Sequence, residues 1–133
     1  YGQNVELEGM VLKPNMVLSG YNCSDQASVE QVAELTVTVF KRSVPSAVPG
    51  IAFLSGGQSD EHATAHLNAM NQLIGDNSPW NLTFSYGRAL QAPALKAWAG
   101  KDENISDAQE AFYKRAKLNS LATKGDYSAG MES

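Results

Sequence analysis

Three short apolar runs, each closing on a lysine, glycine or serine, constrain this chain more than any other feature of it. They are "EGMVLKPNMV" (residues 8 to 17, within a longer stretch from Val5 to Val17), "GIAFLSGG" (Gly50 to Gly57) and "LTFSYG" (Leu82 to Gly87). Their apolar character is near-continuous rather than alternating, which fits strands covered on both faces, as in parallel sheets. All three carry their polar residues at the carboxyl end: Lys13, then Ser55, Gly56 and Gly57, then Ser85 with Gly87 and Arg88. In parallel α/β architectures that is the edge where ligands bind.

Helical patterns fill the gaps between the runs. Ser28 and Gln31 form a capping box ahead of a helix to about Arg42, with Val29, Val32, Ala33, Thr36 and Phe40 on one face. Asp60 is the expected cap of a second helix, in which Ala63, Leu67, Met70 and Ile74 recur at helical spacing and "GDNSP" follows as a stop. A short Ala/Leu-rich helix is expected from Arg88 to Ala99. A last one is expected from Ser106, with Gln109 in capping-box position, to about Ala122. The order is therefore β-α-β-α-β-α-α. Strand starts near residues 7, 51 and 82 leave offsets of 44 and 31 residues, which suit βα units with right-handed crossovers. Three such strands cannot bury their own faces and edges well. They read as the last part of a larger parallel α/β architecture.

The bulk numbers narrow the function classes. Of the 133 residues, 43% are hydrophobic and 18% charged, as in an ordinary globular domain, and no run approaches the roughly 20 apolar residues of a membrane-spanning helix. A net charge of −4 without any Lys/Arg cluster argues against nucleic acid as a partner. Cys23 is the one cysteine, so neither an internal disulfide nor a cysteine-rich metal site is available, and a reducing compartment is expected. The sequence opens at Tyr1 with no basic-then-apolar leader and closes on "YSAGMES", which reads as the start of a flexible tail. It reads as a piece of a longer protein.

Two places hold candidate chemistry. Gly56 and Gly57 let backbone N–H groups approach an anion closely at a helix start, and Arg88 could clamp the same anion bidentately. The same glycines could instead serve only the turn. Lys13 ends an apolar run and precedes Pro14, which stiffens the strand end. An amine held in such a place is deprotonated more easily and can attack a carbonyl to form a Schiff base. A snorkelling lysine at a strand terminus is the other reading of the residues. His62 and His66 stand four apart without a third ligand, and are expected on the solvated side of their helix. Trp80 and Trp98 are expected to pack, Cys23 to be inert, and Glu6 and Glu8 lie at the wrong end of their strand for catalysis.

Taken together, "LEGMVLKPNMV", "FLSGGQS", "LTFSYGRALQ" and "ALKAWAGK" closely resemble the class I fructose-1,6-bisphosphate aldolases of the eukaryotic and plant-like type. The four motifs occur in that family's order and spacing over essentially the whole chain. The resemblance implies that residues 1–133 are the C-terminal segment of a single (β/α)8 TIM-barrel domain, about strands six to eight and the helices that follow, with the N-terminal strands outside the sequence. It implies that Lys13 forms the Schiff base. It implies that Ser55, Gly56 and Gly57 bind the substrate's C1 phosphate, and that Ser85, Gly87 and Arg88 belong to the same substrate site.

The implied reaction is the reversible cleavage of fructose 1,6-bisphosphate to dihydroxyacetone phosphate and glyceraldehyde 3-phosphate, in glycolysis, gluconeogenesis or the Calvin cycle. No metal or other cofactor is implied, since the imine on lysine does the work. The implied partners are a sugar phosphate, the rest of the barrel and three further copies in a homotetramer, in the cytoplasm or plastid stroma. The family's acid/base carboxylates, a second active-site lysine and a C-terminal tyrosine on a mobile tail all lie outside these residues. Two alternatives are a non-catalytic aldolase remnant acting as a binding or scaffold subunit, and a generic sugar-phosphate binding module. The latter leaves the "LKPN" lysine unexplained.

Overall fold

A computed structural model describes residues 2–133. Three strands, β1 (Val11–Leu12), β2 (Gly50–Phe53) and β3 (Asn81–Phe84), form a parallel sheet in the order β1-β2-β3. Four helices accompany them: α1 (Val29–Ser43), α2 (Asp60–Ile74), α3 (Arg88–Trp98) and α4 (Ile105–Ala122). The expected β-α-β-α-β-α-α order is the observed one.

The Ser28–Gln31 capping box forms as expected: Gln31 N–H donates to Ser28 Oγ at 3.3 Å, and Ser28 N–H donates to Gln31 Oε1 at 2.8 Å. Two helix starts differ from expectation. Ser59, not Asp60, caps α2, its Oγ accepting from His62 N–H at 3.1 Å. At α4 a 3-10 turn over Asp102–Asn104 feeds straight into the helix at Ile105, so Ser106 is already helical and caps nothing. β1 is also much shorter than the Val5–Val17 run, because Leu7–Gly9 coil into a 3-10 turn first.

One face of the sheet is buried. Ile51 and Phe53 have no exposed surface, and Phe53 stacks on Phe40 of α1 with ring centroids 5.6 Å apart and planes 8° from parallel. Ala63, Leu67, Met70 and Ile74 of α2 are buried as their spacing foretold. Each large side chain so buried contributes about 1.5–3 kcal/mol. The alternate residues Ala52, Leu54 and Thr83 are only half-buried. The strands are thus covered on one face in this chain, not on both. The expectation of strands covered on both faces is therefore not met among the described residues.

α2 lies between α1 and α4, which buries more of it than its apolar stripe. Thr64, His66 and Asn68 are buried along with the stripe. His66, expected in solvent, is 6% exposed, whereas His62 does face solvent. Trp80 packs as expected, but Trp98 is 40% exposed beside Ile105 and Phe112, in a shallow hollow between α3 and α4.

The closing residues are not a loose tail. Tyr127 is buried, Ala129–Glu132 form a 3-10 turn, and Glu132 accepts two hydrogen bonds from Arg115 Nη1, at 2.6 and 2.7 Å. A nearly buried arginine on α4 needs a carboxylate partner, and this turn supplies it.

Candidate functional site

Register decides where the lysine points. Leu12 pairs with Ile51, and Ile51 with Leu82, so one step on places Lys13 in the row of Ala52 and Thr83. Pairing continues past Lys13, since Leu54 N–H donates to Pro14 O at 3.0 Å. Side chains alternate between sheet faces. With Ile51 and Phe53 against the helices, Lys13 belongs to the opposite, helix-free face. In this chain it is exposed. The apolar, partly desolvated seat expected for it is therefore not made by residues 2–133. The edge position of β1 accounts for that, because nothing here covers its far side.

After β2 the chain turns sharply. Ser55 is 4% exposed, Gln58 N–H donates to Ser55 O at 3.2 Å, and Gly56 adopts φ +55°, a left-handed conformation that favours glycine. A Cβ on Gly56 would come within 3.4 Å of Asn15 Oδ1 and Leu54 Cδ1, while one on Gly57 would collide with the Tyr21 ring. Gly56 is thus needed for its backbone angle, whereas the neighbour at Gly57 is the exposed end of the Tyr21 side chain. The turn sits at the start of α2, where free N–H groups and the helix dipole favour an anion.

β3 ends in the same plane, with Ser85 N–H donating to Phe53 O at 2.8 Å. Gly87 precedes α3, whose first turn no side chain caps. Arg88 opens that helix and reaches back across the β2 turn. Its Nη2 donates to Gly56 O at 3.2 Å and to Gln58 O, while Nη1 pairs with Asp60 Oδ1 at 3.0 Å. In this structure Arg88 braces the glycine turn, and the 47% of its side chain that stays exposed leaves the guanidinium accessible to an anion.

The sequence-predicted residues therefore divide. Gly56 and Arg88 are in direct contact, and Gly57 lies within the turn that Arg88 braces. Lys13, Ser55, Ser85 and Gly87 share their edge of the sheet. Gln58, Asp60, Tyr21 and Asn15 also shape the site. Gln58 stands inside the "SGGQSD" string, where its amide could have been read as a turn-closing group, and Asp60 follows two residues later. Asn15 closes the "LKPN" string without a role having been read for it, and Tyr21 carries no signal in the sequence.

A cleft of about 390 Å³ opens beside this turn, between α1, α2 and the segment from Leu18 to Tyr21. Gly57, Gln58, His62 and His66 line it. His62 and His66 stack with centroids 5.9 Å apart. Burial, and then the charge of His62, push the His66 imidazole down to about 4, against a smaller opposing pull from Glu30. Deeper in the fold, Tyr86 donates to Ala63 O at 2.9 Å, and its burial raises its phenol. Among the described residues no three His, Cys, Asp or Glu side chains converge as a metal site, and no helix is long and apolar enough to cross a membrane.

The whole of residues 1–133 matches the family described as fructose-bisphosphate aldolase class-I. Fructose-bisphosphate aldolase B of Gallus gallus is 60% identical over 93% of this chain and 34% of its own length. Cytosolic fructose-bisphosphate aldolase 4 of Arabidopsis thaliana is 57% identical over 93% of this chain and 31% of its own. A solved structure of fructose-bisphosphate aldolase from Plasmodium falciparum superposes with a TM-score of 0.91 at 53% identity, over 96% of this chain and 36% of that one. The chain thus spans about a third of the length of the relatives it matches.

Proposed function

The chain belongs to the class I fructose-bisphosphate aldolase family, and from that premise we propose that it is the part of such an enzyme that carries the imine-forming lysine and the phosphate loops. The single observation that carries this reading is positional. Lys13, the Ser55–Gly57 turn and the Ser85–Arg88 segment stand on one sheet edge, with Lys13 in the row of the helix-free face. Five further strands would close that face and both open edges into a (β/α)8 barrel, in which these are strands six to eight. The missing strands would also supply the desolvated surroundings that Lys13 lacks here.

In this reading the Lys13 amine attacks the C2 carbonyl of fructose 1,6-bisphosphate, and water leaves to form an iminium. The C4 hydroxyl loses its proton to a base from the missing strands. The C3–C4 bond breaks, its electron pair passes into the iminium to give an enamine, and glyceraldehyde 3-phosphate departs. Protonation and hydrolysis of the enamine return the lysine and dihydroxyacetone phosphate. Backbone N–H groups of Gly56 and Gly57, the Ser55 and Ser85 side chains and Arg88 hold a phosphate of the substrate. No metal takes part. A homotetramer in the cytoplasm or plastid stroma is the assembly that accompanies this reading.

The test is aldol cleavage by the full-length protein, with and without a chelator. Cleavage of fructose 1,6-bisphosphate that survives chelation is expected. No cleavage, or cleavage abolished by chelation and restored by a divalent ion, would overturn the proposal.

A further inference from the structure

The Ser55–Gly57 turn is held from two sides, by Arg88 at the exposed surface and by buried side chains in the wall of the neighbouring cleft. Outside, Arg88 donates to the carbonyl oxygens of Gly56 and Gln58. Inside lies a relay of three buried groups: Ser55, 4% exposed, Gln58, 9%, and His66, 6%. Gln58 Nε2 lies 3.0 Å from Ser55 O, and Gln58 Oε1 lies 2.6 Å from His66 Nδ1.

The chemistry of these atoms fixes the direction of the relay. A backbone carbonyl can only accept, so the Gln58 amide nitrogen must face Ser55. That leaves Oε1 facing the imidazole, and Oε1 also only accepts. His66 Nδ1 must therefore carry a proton, and the neutral ring is the Nδ1–H tautomer with Nε2 bare. Isolated histidine side chains favour the opposite tautomer, so the turn itself imposes this one. A flipped Gln58 would set two acceptors against each other in a buried place.

We propose that His66 is a positioning residue that, through Gln58, sets the Ser55–Gly57 backbone for the phosphate of the substrate. The inference rests on the reading of that turn as a phosphate site. The Ser55 carbonyl accepts twice, from Gln58 Nε2 and from Gln58 N–H at 3.2 Å, and these bonds close the turn in which Gly56 is left-handed. Removing the imidazole donor would orphan a buried amide oxygen and free the Gln58 side chain to rotate. The N–H groups that meet the anion would then lose their fixed direction.

The surroundings keep His66 an uncharged donor. Its own helix presents His62, stacked on it, and α1 presents Glu30, whose carboxylate also accepts from Ser28 Oγ at 2.8 Å. Burial outweighs the pull of Glu30, so the imidazole stays neutral throughout the physiological range.

The experiment uses the full-length protein, with inorganic phosphate as the probe. In the ¹⁵N-histidine-labelled protein at pH 7, His66 should show a protonated Nδ1 and an unprotonated Nε2. His66→Leu should raise both KM for fructose 1,6-bisphosphate and Ki for competing inorganic phosphate about five- to tenfold, the effect of one lost hydrogen bond, with kcat within about twofold. His66→Asn, whose amide nitrogen reaches the place of Nδ1, should restore both constants. His66→Gln, whose nitrogen reaches the place of Nε2, should not.

An Nε2–H tautomer in the unmutated protein would overturn the inference, even if His66→Leu fails to fold. So would unchanged KM and Ki in folded His66→Leu, or equal effects of the Asn and Gln variants, while phosphate still competes in the parent. Failure of phosphate to compete in the parent would remove the phosphate reading itself, and the inference with it.

Discussion

Arg88 at the start of α3 pairs with Asp60 at the start of α2, Nη1 to Oδ1 at 3.0 Å, across the turn that joins β2 to α2. The pair is half-exposed, so its own contribution to stability is small, about 0.2–1 kcal/mol. Its importance is geometric, because the same guanidinium also holds two carbonyls of the glycine turn.

Arg88→Ala in the full-length protein should therefore cost about 2–4 kcal/mol in kcat/KM for fructose 1,6-bisphosphate, through a lost anion contact and a loosened turn. The loss should be far smaller for an unphosphorylated ketose. Steady-state kinetics with both substrates checks this. Equal losses would place Arg88 outside the phosphate site.

The two glycines of the turn should respond differently. Gly56→Ala forces a side chain into φ +55° and should lower stability by about 1–2 kcal/mol, read from urea unfolding. Gly57→Ala meets the Tyr21 ring instead, and Tyr21 is 83% exposed and able to swing away. Its effect should fall on substrate KM more than on stability, and Tyr21→Ala in the same protein should relieve it. A Gly57→Ala defect untouched by Tyr21→Ala would contradict the contact.

The closing turn should prove integral to the fold. Glu132→Gln leaves Arg115 charged, nearly buried and without its carboxylate, a change worth about 3 kcal/mol. Tyr127, which donates to Glu132 at 3.0 Å, has its phenol raised to about 12 by burial and by that carboxylate. A raised phenol contributes stability that is complete below about pH 10 and lost as pH rises from 10 towards 12. Thermal melts of Glu132→Gln, and of Tyr127→Phe across that alkaline window, test both statements.

His66 gives the opposite sign at the acid end. Its folded value lies below the unfolded one of about 6.5, so the unfolded chain binds the extra proton first. Its contribution is complete above pH 6.5 and is lost as pH falls towards 4. Urea unfolding between pH 7 and 4 should show that slope in the parent protein and a shallower one in His66→Asn. Equal slopes would mean that His66 is not the group that titrates.

Much of this was legible in the sequence because local signals sufficed. The Ser28–Gln31 box, the Ala63–Ile74 stripe and the polar ends of the three runs are short-range patterns, and each appears in the fold as read. The misreadings came from packing at a distance. Nothing near His66 in the sequence announces that α1 will cover one side of α2 and α4 another. Nothing near Glu132 announces Arg115, seventeen residues earlier on α4. Lys13 is the reverse case: its motif is plain, yet the described residues leave it exposed, without the desolvated seat the motif led one to expect.

The most direct test of the proposed function is to trap the imine. The full-length protein is incubated with dihydroxyacetone phosphate, reduced with borohydride, digested and mapped by mass spectrometry. The expected result is a single stable adduct on Lys13, lost together with activity in Lys13→Met. An adduct on any other lysine, or none with cleavage still proceeding, would contradict the assignment of Lys13 as the imine-forming residue.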